Sequence, residues 1–345
     1  MQVPTLSIVF MAISVIISIG IPIVLFIVFR KKYNAKFLPM IFGIGGFIIF
    51  VLVLEQSIHS IVFGNFALKK MPVVYIIYGI FMAGIFEETA RFILFNILKK
   101  RYNGIGTGLV YGVGHGGIEA ILLAGLPMIN AIIISVMVNM GTIETITGKL
   151  QGKILEQANS QISALVTTAP YLFLVGGVER IFAIVIQISL SIIVFYAVYG
   201  KNKKWLFPLA IILHAIIDIP AAATQIGLLK NVLLVEGLVC LSTILVIIIA
   251  KKIHEKNNND ELIEQLEKTL VYLNISKDSA YAHMTVSEIK ELIIYSINSL
   301  KNNEAIDIVQ LKLAYAPTGD IQDTSIDNGW GDDFLNIAAK IDRVL

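Results

Sequence analysis

Seven stretches of the chain are each apolar over about 20 residues or more, and this pattern limits the fold more than any other feature. The hydrocarbon core of a bilayer is about 30 Å thick, so about 20 residues of α-helix cross it. Only 15% of the residues are charged, against roughly 25% in an ordinary soluble domain. We therefore predict an all-α, polytopic transmembrane helix bundle with spans at about 5–29, 37–63, 73–97, 106–127, 171–199, 206–226 and 231–250.

An eighth apolar segment, 129–146, is polar in its second half and could cross the membrane, re-enter it or lie in its interface. Lys and Arg near span ends favour the cytoplasm. Seven spans with an outside amino terminus place four basic clusters on the cytoplasmic side, whereas eight spans leave almost no bias. We therefore favour seven spans, with 129–146 re-entrant or interfacial. The four clusters begin at Arg30, Lys99, Lys201 and Lys251.

The composition changes near residue 252, which divides the chain into a predicted transmembrane domain, 1–252, and a small soluble, mostly helical accessory domain, 253–345. In the second domain Thr285 and Glu288 have the spacing of a helix capping box. Its Asp-rich portion lacks the spacing of a calcium-binding loop, so we expect solvated turns there. The first apolar run is too long for a signal peptide, so we expect it to be kept as a span.

The composition excludes nucleic-acid binding and structures that need several cysteines. The net charge is only +2 and no Lys/Arg run is interleaved with aromatic residues, so the chain is not expected to bind nucleic acid. The sequence contains a single cysteine, Cys240, so neither an intrachain disulfide nor a zinc site with several cysteine ligands can form.

The third span carries three charged residues, Glu87, Glu88 and Arg91, near its middle. A charged side chain at the centre of a membrane helix costs about 2.5–3.5 kcal/mol on insertion scales. Arg91 follows the two acids by four and three residues and can therefore pair with either. A structural ion pair explains two of the charges but leaves the second carboxylate without a partner on this helix.

Two further spans each place a histidine and an acid on one helix face, because the two residues are four apart. These pairs are His115 with Glu119 and His214 with Asp218. Glycines on both sides of His115 allow another backbone to approach closely. The fifth span adds Glu179 and Gln187 as residues that could support the site.

Glu87, His115 and His214 each lie about ten to twelve residues from a basic loop, and Gln187 falls near the same level. At 1.5 Å per residue this is one layer roughly 15 Å below the predicted cytoplasmic face. Polar groups from four helices at one level are what a buried aqueous cavity requires.

A carboxylate beside a histidine can deprotonate water, and further histidines or protonated acids can stabilise the oxyanion of an attacked carbonyl. This chemistry is acyl hydrolysis without a covalent nucleophile. The His-Glu-x-x-His, Gly-x-Gly-Asp and Gly-x-Ser-x-Gly motifs of other proteases are absent from the spans. Zinc is also compatible with the sequence, since His115 and His214 with Glu119, Asp218 or Glu87 would form a three-ligand site with an open position.

The same residues resemble the YhfC family of bacterial intramembrane proteases, itself similar to a branch of the CAAX protease and bacteriocin-processing superfamily. The resemblance covers about residues 1–252. Two departures stand out. The spacing between the two acids and Arg91 is shorter than in much of the superfamily, which fits the YhfC branch, and Gln187 stands where a histidine is expected in the YhfC pattern. The motifs that carry it are Glu87-Glu88-Thr-Ala-Arg91, Gly114-His115-Gly116-Gly117-Ile-Glu119, Glu179-Arg180 and His214-Ala-Ile-Ile-Asp218.

The resemblance implies roles for these residues. Glu87 or Glu88 would activate water together with His115. His214 and Asp218 would hold the oxyanion, and Arg91 would orient the acids.

Our sequence-based hypothesis is a multi-pass peptidase of the bacterial plasma membrane. It would cleave a peptide or a lipid-linked protein in or near the bilayer, with membrane lipid as its other partner. The mechanism is either glutamate-type or metal-dependent; we favour the water-only version, which requires no cofactor. If a metal is bound, His115, Glu119 and His214 are its predicted ligands. The alternative is a non-catalytic membrane binder or transporter, such as a peptide-immunity or export partner, in which the same layer lines a proton or ligand path.

Overall fold

The computed structural model describes residues 2–345, and the described chain consists of helices and connecting loops without a strand. Seven helices of the described chain are long and apolar enough to cross a membrane, which confirms the prediction of an all-α bundle with seven spans. An eighth long helix, Gly152–Thr167, is not among them. In chain order the eight helices are α1 (Thr5–Tyr33), α2 (Phe37–Asn65), α3 (Pro72–Leu98), α4 (Gly106–Asn139), α5 (Gly152–Thr167), α6 (Pro170–Tyr199), α7 (Leu206–Gln225) and α8 (Val232–Leu273).

Segment 129–146 does not form a separate re-entrant element, and its position relative to the membrane interface stays a prediction. Helix α4, which includes a π-helical segment, continues to Asn139, and a short helix, Glu144–Thr147, follows it. Asn139 is the last residue of α4, and its side chain binds the backbone near the amino terminus of the chain. Its Oδ1 accepts from the backbone N–H of Val3 at 2.7 Å and its Nδ2 donates to the carbonyl of Val3 at 3.0 Å.

Wide π-helical turns interrupt two of the spans. They cover Phe47–Glu55 in α2 and Ile121–Gly125 in α4. Such turns rotate the residues that follow them relative to a regular α-helix and are frequent at functional sites. In α2 the π-helical turn ends at a buried acid, Glu55, which is only 4% exposed.

Helix α4 is central to the bundle and packs against α1, α2 and α6. Its residues from Gly106 to Gly117 are all buried. A Cβ at Gly112 would lie 2.5 Å from the Cα of Ile188, and a Cβ at Gly116 would lie 2.9 Å from the Cβ of Gln187. Glycine at these positions therefore lets α6 approach α4 closely enough to bring Gln187 beside the histidine of α4.

Helix α3 packs against α2, α6 and α7. Gly84 lies at its contact with α7, where an added Cβ would be 2.9 Å from the carbonyl oxygen of Ile211. The two acids of α3 follow Gly84 by one turn, so this close packing brings α7 next to them. Helices α3, α4, α6 and α7 thus surround the predicted polar layer.

The residues from Lys252 to Leu345 form a second compact unit with its own hydrophobic core. The predicted capping box is confirmed: Thr285 Oγ1 accepts from the backbone N–H of Glu288, and the Glu288 carboxylate accepts from the N–H of Thr285 at 2.7 Å. These hydrogen bonds lower the pKa of Glu288 below its usual value. The solubility and accessory role of this unit stay predictions. Its other helices are α9 (Val286–Lys301), α10 (Ile308–Tyr315), α11 (Asp320–Asp327) and α12 (Gly331–Val344).

The Asp-rich portion of this unit is mostly helical and not a series of turns. Its aspartates cluster in the first turns of α11 and α12, where negative charge interacts favourably with the helix dipole. Asp320 also accepts hydrogen bonds from the backbone N–H groups of His283 and Met284, at 2.7 and 3.1 Å. Helix-terminal interactions, and not solvated turns, therefore account for Asp320, Asp323, Asp332 and Asp333.

Candidate active site

A single guanidinium group holds both acids of α3. Arg91 is fully buried, and its Nη1 donates to Glu88 Oε1 at 2.5 Å while its Nη2 lies 3.4 Å from Glu87 Oε2. The sequence predicted a pair with either acid, and the structure has both. Charge-assisted hydrogen bonds of this kind fix the geometry of the two carboxylates as well as compensating their charge.

Arg91 also connects α3 to α6. Its Nε donates to Ser191 Oγ at 3.2 Å, and its Nη2 donates to Gln187 Oε1. Because the guanidinium has only donors, the oxygen of the Gln187 amide must face it and the NH₂ group must face away. That NH₂ group donates to Glu87 Oε2 at 3.1 Å and to Glu119 Oε2 at 2.7 Å.

His115 projects from the glycine-lined part of α4 and is fully buried. Its Nε2 lies 2.9 Å from Glu87 Oε2, at hydrogen-bonding distance. The ring packs edge-on against Phe47 with centroids 5.3 Å apart and is stacked with Tyr111 at 6.3 Å. The aromatic contacts restrict the rotation of the imidazole and so keep Nε2 directed at the carboxylate.

His214 projects from α7 to the other side of the two acids. Its Nδ1 lies 2.6 Å from Glu88 Oε1, and its Nε2 lies 3.5 Å from Asp218 Oδ2 and 3.8 Å from Glu87 Oε2. The imidazole is therefore enclosed by three carboxyl groups. Asp218 has the most exposed side chain of these groups, at 33%.

Four nitrogen-bearing groups thus converge on one oxygen, Glu87 Oε2. They are the Arg91 guanidinium, the Gln187 amide and the imidazoles of His115 and His214. Within the described chain the hydrogen bonds of Glu87 fall on this oxygen, which leaves Oε1 for a water molecule. The Glu87 side chain is 8% exposed, whereas that of Glu88 is fully buried.

The residues predicted to support the site fall into two groups. Glu119 and Gln187 are part of the network, as described. Glu119 also lies 3.6 Å from Arg180 Nη1, and Arg180 in turn contacts Glu179. Glu179 therefore reaches the predicted site only through two intervening residues.

Three of the side chains have the arrangement of a metal site. In the described chain the ligand atoms of Glu87, His115 and Glu119 lie within 4.8 Å of one another. This set shares His115 and Glu119 with the predicted ligands but has Glu87 in place of His214, which faces Glu88 and Asp218 instead. Imidazole and carboxylate are the ligands of catalytic zinc.

The charges of the network also favour a cation. In the described network the carboxyl groups outnumber the guanidinium groups, so protons, charged imidazoles or a metal ion must balance the excess. The Gln187 amide bridges Glu87 and Glu119, and a metal ion would compete with it for the same two oxygens. Glu87, His115 and Glu119 therefore fit a zinc ion, which would replace the Gln187 amide as the partner of the two carboxylates.

The sequence analysis missed a second cluster of polar side chains beside the site, formed by Glu55, His59 and Tyr78. Glu55 Oε1 lies 3.1 Å from His59 Nε2, and His59 Nδ1 lies 2.8 Å from the hydroxyl of Tyr78. The signal was available, because an acid and a histidine four residues apart in an apolar span form the same pattern as His115 with Glu119. Glu55 lines a cavity that Asp218 also lines.

Comparison with known protein families matches a region of the chain that contains every predicted site residue. Residues 17–239 match the family model described as YhfC intramembrane metalloprotease. The uncharacterized membrane protein YhfC of Bacillus subtilis (strain 168) is 38% identical over 240 residues, which cover 68% of this chain and 92% of that protein. No solved structure matches the chain. The family match, this relative and the seven-span bundle agree, and the chain therefore belongs to the YhfC family of multi-pass membrane proteins.

Proposed function

We propose that this protein is an intramembrane peptidase that hydrolyses a peptide bond in or next to the bilayer, with water activated by Glu87 and His115. The observation that carries the proposal is the 2.9 Å contact between Glu87 Oε2 and His115 Nε2 inside a bundle of spans, with further donors on the same oxygen. A carboxylate held by several donors keeps its charge and orientation, and it can still accept a proton at its other oxygen.

In the proposed step Glu87 Oε1 accepts a proton from water while the water oxygen forms a bond to the carbonyl carbon of the scissile peptide. The carbonyl π electrons move onto its oxygen, which accepts a hydrogen bond from His214 Nε2. When the C–N bond breaks, the proton on Glu87 passes to the leaving nitrogen. The carboxylate is thereby regenerated and no covalent intermediate forms.

The neighbouring residues support this step in different ways. Glu88 and Asp218 flank His214 and would stabilise an imidazolium that donates from both nitrogens. Glu88 is fully buried and bound by both Arg91 and His214, which makes it a positioning residue and leaves Glu87 as the base.

The family description includes a metal, which Glu87, His115 and Glu119 would hold. A zinc ion would supply Lewis-acid polarisation of the carbonyl and increase the acidity of a bound water. In that case Gln187 would lose its contacts with Glu87 and Glu119, and Arg91 would still hold Glu87 and Glu88 in place.

The proposed substrates are membrane-embedded peptides or lipid-linked proteins, with membrane lipid surrounding the enzyme. Four residues of the polar layer lie 8 to 12 residues from one end of their helices: Glu87, His115, Gln187 and His214. This is about 12–18 Å along a helix axis. A peptide bond at that depth has to enter the bundle from the bilayer or from a cavity open to one face.

The test is cleavage of a peptide library by the purified protein in nanodiscs, with products identified by mass spectrometry. We expect Glu87→Gln to lower cleavage about 100-fold or more, because a general base typically contributes that much. The matched control is Glu144→Gln, which changes an exposed acid of the short helix after α4 and should leave cleavage unchanged. Equal cleavage by the wild type and Glu87→Gln would contradict the proposal, because the activity would not depend on this site. No cleavage by either protein would leave the binder or transporter hypothesis.

The metal is tested on the same preparation. If the metal-dependent version holds, zinc measured by mass spectrometry should copurify, and His115→Ala should lower the zinc content. The control is His283→Ala, an exposed histidine of the second unit. Cleavage that persists without bound zinc and in the presence of chelators would leave only the glutamate-type mechanism.

A further inference from the structure

A cavity of about 350 Å³ lies between α2, α3 and α7, next to the candidate active site. Its lining comes from the end of α2, the start of α3 and the end of α7, so it belongs to the end of the bundle opposite the loop at Lys99. Its size is at the lower limit for ligand pockets, which suits one side chain of a larger substrate.

The cavity is acidic. Glu55 and Asp218 both line it, and none of its described lining residues is Lys or Arg. Glu55 is 4% exposed, and its Oε2 has no hydrogen-bond partner among the described residues, although Oε1 contacts His59. A buried carboxylate with an unsatisfied oxygen is costly inside a membrane protein, and a cation is the partner that would offset this cost.

The rest of the lining fits an organic cation with an apolar stem. Phe63 and Tyr75 pack together with ring centroids 5.8 Å apart, and aromatic faces attract ammonium and guanidinium groups. Ile80, Ala83 and Ala222 provide apolar wall. Long basic side chains combine a charged head with a methylene stem, so they match both parts of the lining.

A metal ion fits this cavity less well. The described chain offers one group of three ligands within metal-binding distance of one another, and that group lies around Glu87. Glu55 is not a member of it. Aromatic and apolar walls also provide no ligand for a hard cation.

We propose that the cavity is a specificity subsite that binds a Lys or Arg side chain of the peptide substrate, with Glu55 as its main anion. This inference rests on the proposed peptidase function and adds a substrate preference to it. Asp218 links the two sites, because it lines the cavity and also lies 3.5 Å from His214 Nε2. A basic residue in the cavity therefore lies close to the scissile bond.

Binding is measured first, because it does not depend on catalysis. Fluorescent hydrophobic peptides that differ only in one central residue, Lys or norleucine, are titrated into the Glu87→Gln protein in nanodiscs. We expect the Lys peptide to bind about tenfold more tightly, and Glu55→Gln in the same background to remove this difference. Glu55→Asp, which keeps the charge, should restore part of it, and Glu144→Gln should have no effect.

A second variant covers the case in which a change at the buried Glu55 prevents folding. Gln225 lines the cavity and is exposed, so Gln225→Lys should fold and should weaken binding of the Lys peptide while sparing the norleucine peptide. Equal binding of the Lys and norleucine peptides by the protein with an unmodified cavity would overturn the subsite. So would a finding that Glu55→Gln and Gln225→Lys weaken binding of the two peptides equally.

Cleavage assays on the protein with Glu87 intact then separate the peptidase proposal from the subsite proposal. We expect kcat/KM for the Lys peptide to exceed that for the norleucine peptide about tenfold, with the preference lost in Glu55→Gln. Binding that prefers Lys without any cleavage would contradict the peptidase and keep the cation subsite. Cleavage without preference would contradict the subsite and keep the peptidase.

Discussion

Arg91 is the residue that connects most of the candidate site, because it contacts Glu87, Glu88, Gln187 and Ser191. Lysine would keep the charge, but it presents a single ammonium group and cannot reproduce this fork of donors. The position of Glu87 relative to His115 depends on the fork. Arg91 therefore acts on the reaction through the acids that it holds.

We expect Arg91→Lys to lower kcat about tenfold to 100-fold with little change in KM, because a misplaced catalytic group slows chemistry more than it weakens binding. Steady-state kinetics on a peptide cleaved by the wild type measures the effect. Arg101→Lys, in the exposed loop after α3, is the control and should behave as the wild type. A wild-type kcat in Arg91→Lys would show that the fork is not needed.

At the residue scale the sequence predicted which charges meet but not the atoms that meet. The spacing of Arg91 from the two acids predicted an ion pair on one helix turn. It could not show that His115 contacts Glu87 while His214 contacts Glu88, because that depends on how α4 and α7 rotate against α3. The pair of Glu55 with His59 was visible in the sequence, but the position of Glu55 beside Asp218 depends on how α2 packs against α3 and α7.

At the scale of the helices, glycines set the distance between α2 and α4. A Cβ at Gly43 would lie 2.9 Å from the backbone nitrogen of His115 and still closer to the carbonyl oxygen of Tyr111. Both of these atoms belong to backbone, which cannot rotate away as a side chain can. Gly45, two residues later on α2, has no atom within 4 Å of its Cβ position.

We expect Gly43→Ala to destabilise the bundle by about 1–3 kcal/mol, the usual effect of overpacking. Gly45→Ala is the matched control and should be neutral or stabilising by up to about 1 kcal/mol, since alanine favours the helix. Thermal unfolding in detergent, followed by fluorescence, measures both variants. If Gly43→Ala melts at the temperature of Gly45→Ala or higher, close packing at this position does not stabilise the bundle.

Helix positions were largely predictable from hydropathy, whereas their continuity was not. The seven spans follow the apolar stretches within a few residues at most ends. Helix α4 runs 12 residues beyond its predicted end at 127 and ends at Asn139, whose side chain binds the backbone of Val3. A contact between residues 136 positions apart is not visible in local sequence, so hydropathy alone did not predict where this helix ends.

At the scale of the whole molecule the chain consists of two compact units, one ending at Lys251 and the other beginning at Lys252. The first unit contains the polar layer and the acidic cavity. Which face of the membrane the cavity meets depends on the orientation of the spans. The distribution of Lys and Arg predicts an outside amino terminus, and the cavity then opens toward the outside.

Two exposed lysines at opposite ends of the spans allow this orientation to be tested. Lys100 follows α3, and Lys230 lies between α7 and α8. In a Cys240→Ala background, which removes the native thiol, Lys100→Cys and Lys230→Cys each provide one site for a membrane-impermeant maleimide. Because basic clusters favour the cytoplasm, we expect labelling of Lys230→Cys in intact cells and labelling of Lys100→Cys only after permeabilisation. The opposite pattern would reverse the orientation and make the cavity accessible from the cytoplasm, so the basic peptides that enter it would have to come from inside the cell.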